Sequence, residues 1–186
     1  MIQTLDFAVL DRIQAYCRCE LLDMLMPKLT LLGEYGALWI VLALILLLRK
    51  RTRQSGLALS AGLLGSLLIG NLLLKPLIAR PRPCWINESA ELLVAAPQDY
   101  SFPSGHTLSC FIAATVLLHY DRRLGIPALA IACVVAFSRL YLYVHFPSDV
   151  LAGAALGVVI GCFAAWLTDR VYARRLTREE EAPIIL

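Results

Sequence analysis

Residues 55–74, SGLALSAGLLGSLLIGNLLL, run for twenty positions without a single charge. That is the length needed to cross the ~30 Å hydrocarbon core of a bilayer as a helix, about 20 residues. The feature repeats. Residues 29–48 carry GALWIVLALILLL before a stop at RKRTR (49–53), and 150–168 are again uncharged until Asp169 and Arg170. A run opening near Pro103 ends at Tyr120, and 124–144 is interrupted only by Arg139. Composition agrees: 59% of the 186 residues are hydrophobic and 17% charged, whereas soluble domains run near half and a quarter. These runs predict an all-α, polytopic membrane helix bundle with five transmembrane helices. No repeat, linker or low-complexity stretch divides it, so residues 1–186 are expected to form a single integral-membrane domain.

Residues 4–22 are amphipathic. Asp6, Asp11, Arg12, Arg18 and Glu20 are too many charges for hydrocarbon, which favours an N-terminal helix lying in the interface over a sixth span. The same stretch interleaves charge with apolar residues and lacks the pattern of a cleavable signal peptide. Six cysteines (17, 19, 84, 110, 133 and 162) give no metal-site spacing and no disulfide framework, though a bridge from Cys84 to Cys17 or Cys19 stays open. The formal net charge of +3 gives no support to nucleic-acid binding.

Basic residues set the orientation. Arg49, Lys50, Arg51 and Arg53, then Arg122 and Arg123, then Arg170, Arg174, Arg175 and Arg178 all fall on one face of an alternating path. The positive-inside rule makes that face cytoplasmic, with a cytoplasmic tail at 170–186. Residues 75–102 and 139–149 share the opposite face. Three clusters meet there. In KPLIARPRP (75–83) the prolines at 76, 81 and 83 disfavour helix, so the segment is expected to leave the helix in an extended, stiff form. By itself this cluster also fits a stop-transfer signal whose cations reach the headgroups. SFPSGHTLSC (101–110) opens a span with Ser104, Gly105 and His106, where free backbone N–H groups and the helix dipole favour an anion. SRLYLYVHFPSD (138–149) places Arg139 near hydrocarbon, a functional hypothesis by default. It also spaces Asp149 four residues after His145, able to accept from a ring N–H and fix its tautomer. His119, at the other end of its span, stands apart.

Together K-x6-RP (Lys75 to Arg82-Pro83), PSGH (103–106) and SR-x5-H-x3-D (138–149) resemble the three signature blocks of the type 2 phosphatidic acid phosphatase family. That family also includes vanadium-dependent haloperoxidases and glucose-6-phosphatase. The match forms a motif core at 75–149, most similar to short bacterial membrane members. The resemblance implies His145 as nucleophile forming a phosphohistidine, Asp149 as its orienting partner, and His106 as general acid and then base. It implies Lys75, Arg82, Ser104, Gly105 and Arg139 as phosphate ligands, and no metal or other cofactor. Arg80 matches no signature position and is assigned a possible accessory contact, and the loop acids Glu88, Glu91 and Asp99 follow no pattern.

The expected activity is removal of phosphate from a lipid phosphate or diphosphate, leaning to undecaprenyl diphosphate. The expected place is the cell (plasma or inner) membrane, with the site on the extracytoplasmic face. The bilayer and a lipid substrate are the expected partners, with no nucleic acid and no obligatory protein partner. Phosphatidylglycerophosphate or phosphatidic acid hydrolysis and phospho-transfer to an alcohol are the alternatives. A non-enzymatic anion-binding protein explains the cations but not the His–Asp spacing, and a soluble haloperoxidase conflicts with the hydrophobicity.

Overall fold

Hydrocarbon cannot hydrogen-bond to a peptide group, so a chain this apolar must satisfy its backbone within each segment. The computed structural model describes residues 2–181, with side chains through 174. Among the described residues all regular structure is helical. Helix α1 covers Ile2–Cys17 and α2 covers Glu20–Leu29. A tight turn, Thr30–Gly36, joins α2 to α3 (Ala37–Leu48). Helix α4 (Arg53–Gly65) passes into a wider winding over Ser66–Leu74, then into α5 (Lys75–Ile78) and the short α6 (Pro83–Ile86). The last three are α7 (Gly105–Tyr120), α8 (Arg122–Tyr141) and α9 (Pro147–Glu181).

Four described helical stretches are long and apolar enough to cross a membrane: Glu20–Leu48, Lys50–Ile86, Arg122–Tyr141 and Pro147–Arg174. The expected third span, α7, has 16 residues and so reaches about 24 Å at 1.5 Å per residue. It is the core of the bundle, enclosed by α4, α8 and α9, with Leu108, Ile112 and Val116 fully buried. Large apolar side chains such as Leu44, Leu64, Val159 and Phe163 are exposed on the outer surface, as lipid-facing residues must be. This is a membrane protein.

Several boundaries differ from the sequence expectation. The first span begins at Glu20 rather than near Leu29 and breaks at its middle, where Tyr35 and Gly36 take φ of 47° and 66°. KPLIARPRP does not leave the helix at once. Lys75–Ile78 adds one more turn, continuous with the wider winding before it, and the chain departs at Ala79 with φ 48°. The cysteines are all free, so no bridge forms from Cys84. The tail is helical to Glu181, and the remainder, 182–186, lies outside the described residues.

Helix α1 packs against the ends of α8 and α9 nearest the motif blocks. Gln14 Nε2 donates to the Tyr141 carbonyl at 2.8 Å, and Tyr143 Oη donates to Asp11 at 3.1 Å. At the far end Gln54 and Tyr120 each donate to Asp169 at 2.7 Å, tying α4, α7 and α9 together. Arg49–Arg53, Arg122, Arg123 and Arg170 therefore gather at the end opposite the motif blocks.

Candidate active site

The wide winding at Ser66–Leu74 sets up the first part of the site. The Lys75 N–H returns to the Gly70 carbonyl, five residues back rather than four, which rotates the helix end. Asn71 and Lys75 then stand beside the start of α7: a Cβ added at Gly105 would lie 3.3 Å from Asn71 Oδ1 and 3.8 Å from Lys75 Nζ. The absent side chain leaves the backbone of Gly105 open to the cavity that Lys75, Arg82, His106, Arg139 and His145 line together. Ser104 stands immediately before the first turn of this helix and is fully buried, its Oγ accepting from the Thr107 hydroxyl at 3.0 Å. All the motif residues expected from sequence thus converge on one end of the bundle.

Arg82 is almost fully buried and organises the centre. Its Nη1 donates to the Val144 carbonyl at 2.7 Å and lies 3.0 Å from His145 Nε2. A guanidinium has no acceptor, so Nε2 accepts and the neutral ring carries its proton on Nδ1. Burial, and then the charges of Arg82, Arg139 and Lys75, hold this imidazole well below the ordinary histidine range. It is neutral at working pH, with its lone pair on Nε2.

The partnership of His145 with Asp149 differs from the expectation of a direct bond. Nδ1 lies 3.8 Å from Asp149 Oδ2, and the Ser101 hydroxyl bridges the gap. Ser101 Oγ is 3.4 Å from Nδ1 and donates to Oδ2. The chain turns tightly at 142–146, and Oδ2 also accepts the Phe146 N–H at 2.9 Å, which keeps the carboxylate in the first turn of α9. Oδ1 accepts from Arg80 Nη1 at 2.5 Å.

His106 and Arg139 show a different pattern. Among the described residues, His106 Nε2 and Arg139 Nε are buried side-chain atoms with no hydrogen-bond partner. Both residues line the cavity, where these atoms are available to an anionic ligand. The α2–α3 turn holds them there. Thr30 Oγ1 accepts from Arg139 Nη1 at 2.6 Å, and a Cβ at Gly33 would sit 3.0 Å from His106 Cδ2. Glu34 Oε2 is 3.8 Å from His106 Nε2.

Sequence reasoning missed several members of the site. Asp99, read as unpatterned, bridges the cradle: its carboxylate pairs with Lys75 and accepts from Arg82 Nη2 at 2.6 Å. Burial pushes its carboxyl up, but the Lys75 hydrogen bond and the Arg82 charge outweigh that and bring it down to about 2. Ser101, Thr30, Glu34 and Asp6 lie outside the motif spacings, and no short-range signal marks them.

The cavity measures about 1070 Å³ and does not stop at the cations. It continues between α3 and α4 as a groove lined by Ile40, Leu44, Leu63, Leu64 and Leu67. One end is thus a cationic cradle around an imidazole lone pair, and the other is lined by apolar side chains.

Comparison with known proteins agrees with this geometry. The sequence matches the PAP2 superfamily over residues 55–173. An undecaprenyl-diphosphatase of Sulfolobus acidocaldarius is 37% identical over 68% of this chain, which spans 62% of that protein's length. A decaprenylphosphoryl-5-phosphoribose phosphatase of Mycobacterium tuberculosis is 35% identical over 69% of this chain and 71% of its own. The crystal structure of a PAP2-type phosphatidylglycerolphosphate phosphatase from Bacillus subtilis superposes with a TM-score of 0.76 at 26% identity, over 91% of this chain and 87% of that one. With the family match covering well over half of the sequence and all three motif blocks meeting at one cavity, this chain belongs to the PAP2 superfamily.

Proposed function

We propose that this chain is a membrane lipid-phosphate phosphatase that works through a phosphohistidine at His145, with a polyprenyl diphosphate such as undecaprenyl diphosphate as its favoured substrate. The observation that carries the reading is the 3.0 Å contact of Arg82 with His145 Nε2 inside the cationic end of a groove whose other end is apolar. A phosphate entering the cradle takes over the Arg82 donor and frees the Nε2 lone pair beneath it. His145 Nε2 then forms a bond to phosphorus as the bond to the leaving oxygen breaks. Nδ1–H donates to Ser101 and Ser101 to Asp149, so the carboxylate stabilises the growing positive charge on the ring through a hydroxyl.

His106 gives its proton to the leaving oxygen. It next takes one from a water whose oxygen bonds to phosphorus as the N–P bond breaks, releasing phosphate and restoring His145. Lys75, Arg82, Arg139 and the Gly105 N–H hold the equatorial oxygens, with Ser104 beside them. Their worth lies in stabilising charge in a loose transition state, the dominant contribution in phosphoryl transfer. The motif blocks supply one carboxylate among these cations, so the reading needs no metal.

The apolar lining of the groove suits a lipid tail, and the relatives named for polyprenyl substrates favour a polyprenyl diphosphate over a two-chain lipid. The gathering of basic residues at the end opposite the site supports an extracytoplasmic active site in the cell membrane. The test is phosphate release by solubilised protein in EDTA from farnesyl or undecaprenyl diphosphate, phosphatidylglycerol phosphate and phosphatidic acid. The highest kcat/KM is expected for the polyprenyl diphosphates. Activity lost in EDTA and restored by magnesium, or confined to the two-chain lipids, would overturn the proposal.

A further inference from the structure

Arg80 is a cation beside the phosphate cradle, yet its guanidinium is already spent elsewhere. Nη1 donates to Asp149 Oδ1 at 2.5 Å and to Ser148 Oγ at 2.7 Å. Nη2 donates to Asp6 Oδ2 at 2.7 Å, and Cζ lies 4.1 Å from the centre of the Phe146 ring. Arg80 is not among the residues lining the cavity, whereas Lys75 and Arg82 on either side of it are. The left-handed turn at Ala79 sends it the other way. Asp6, in turn, is a buried acid on α1, 142 residues distant in sequence from what it caps. Its Oδ1 accepts the Ser148 N–H at 3.0 Å and its Oδ2 the Ser148 hydroxyl at 2.5 Å, at the first turn of α9.

We propose that Asp6 and Arg80 form a clamp behind the nucleophile: Arg80 is a positioning residue that acts through Asp149, and Asp6 on α1 holds Arg80 and the start of α9 in register. The proposal rests on the phosphohistidine reading above. Asp149 has a fully buried side chain. Its Oδ2 faces Ser101 and Phe146, and only Oδ1 meets a positive charge. A buried carboxylate is held in one orientation when a partner's donors point at it, and Arg offers them in a rigid fork. Here the fork spans two carboxylates. Asp149 reaches His145 through Ser101, so a small rotation of Asp149 breaks that relay and leaves the imidazole free to turn Nε2 away from phosphorus. Helix α1 thereby becomes part of the catalytic apparatus, although no motif residue lies on it.

Removal of the Arg80 side chain would bury two uncompensated carboxylates, so the informative variants are Arg80→Lys and Asp6→Asn. Each keeps a donor or acceptor and weakens the fork. The readouts are vanadate affinity and the burst of leaving-group release in a single turnover, with Lys75→Ala as the comparison for a true phosphate ligand. Both variants are expected to keep vanadate affinity within about twofold and to keep the burst amplitude. Both should slow the burst by about tenfold to a hundredfold, the scale on which outer partners of a site ligand act. The double variant should be no slower than the slower single one, because both break the same device.

A merely structural clamp would lower the amplitude, through loss of folded protein, and leave the rate constant alone. That result overturns the proposal, as does a loss of vanadate affinity comparable to Lys75→Ala, a wild-type burst rate in either variant, or losses that multiply in the double variant. The two levels separate cleanly. If the wild type releases the leaving group from a lipid phosphate in a single turnover without forming a phosphoryl label on His145, the phosphohistidine reading fails and the clamp falls with it. If the wild type bursts and the variants match it, only the clamp fails.

Discussion

At the scale of single residues, chemistry that sits in short spacings was legible and chemistry assembled from afar was not. Lys75, Arg82, Ser104, Gly105, His106, Arg139, His145 and Asp149 fall in three blocks whose types and order speak for themselves. Ser101, only three residues before Ser104, is present in the sequence as an ordinary serine, and only the turn at 142–146 shows it standing between His145 and Asp149. Asp99 was invisible for a similar reason: a lone loop acid has no periodicity. Its position between Lys75 and Arg82 carries a prediction. Held down at about 2, it is ionised at every working pH and occupies donors that a phosphate needs. Asp99→Asn is expected to tighten vanadate binding by roughly three- to tenfold, the effect of removing one like charge at a partly exposed site. Inhibition curves in low salt would show it, and weaker binding in the variant would mean that Asp99 orients the cations instead of competing for them.

Among the elements, hydropathy located α7 and α8 to within a few residues because lipid demands long uncharged runs. It started the first span late, near Leu29 instead of at Glu20, the charges of Glu20, Asp23 and Lys28 hiding its first turns. It did not reveal the break at Glu34–Gly36, since the run stays apolar on both sides while Tyr35 takes φ 47°. Nor did it show which faces touch. Helix α9 approaches α7 along glycines spaced four apart: a Cβ at Gly153, Gly157 or Gly161 would meet the carbonyl of Ser104, Leu108 or Ile112 at 2.8, 2.9 and 3.2 Å. These are backbone contacts, which cannot swing aside as a side-chain tip does, and such small-residue seams let membrane helices close up. Gly157→Leu should therefore destabilise the bundle by at least the ~1–3 kcal/mol typical of overpacking. A thermal-unfolding series in detergent would register it as a fall in Tm of several degrees. An unchanged Tm would show that α9 can stand away from α7 at no cost. Because Ser104 lies at the top of this seam, the same packing fixes the mouth of the anion cradle.

For the molecule as a whole, the charge asymmetry and the site lie at opposite ends. Asp169, tied to Gln54, His119 and Tyr120, closes the basic end, and the cations of the site are neutralised or poised at the other. In a cysteine-free background, a cysteine at the exposed position of Glu88 is expected to react with a membrane-impermeant maleimide in intact cells, and one at Arg51 only after permeabilisation. The reverse pattern would place the site on the cytoplasmic side. The proposed reaction depends on one covalent bond, between His145 Nε2 and phosphorus. The direct measurement is a rapid quench of solubilised protein with a lipid diphosphate labelled in its terminal phosphate, followed by digestion and mass spectrometry. An acid-labile, base-stable label is expected on His145, forming as the leaving group departs, decaying with phosphate release and missing in His145→Ala. Label on any other residue, or a burst of leaving group in His145→Ala, would contradict it.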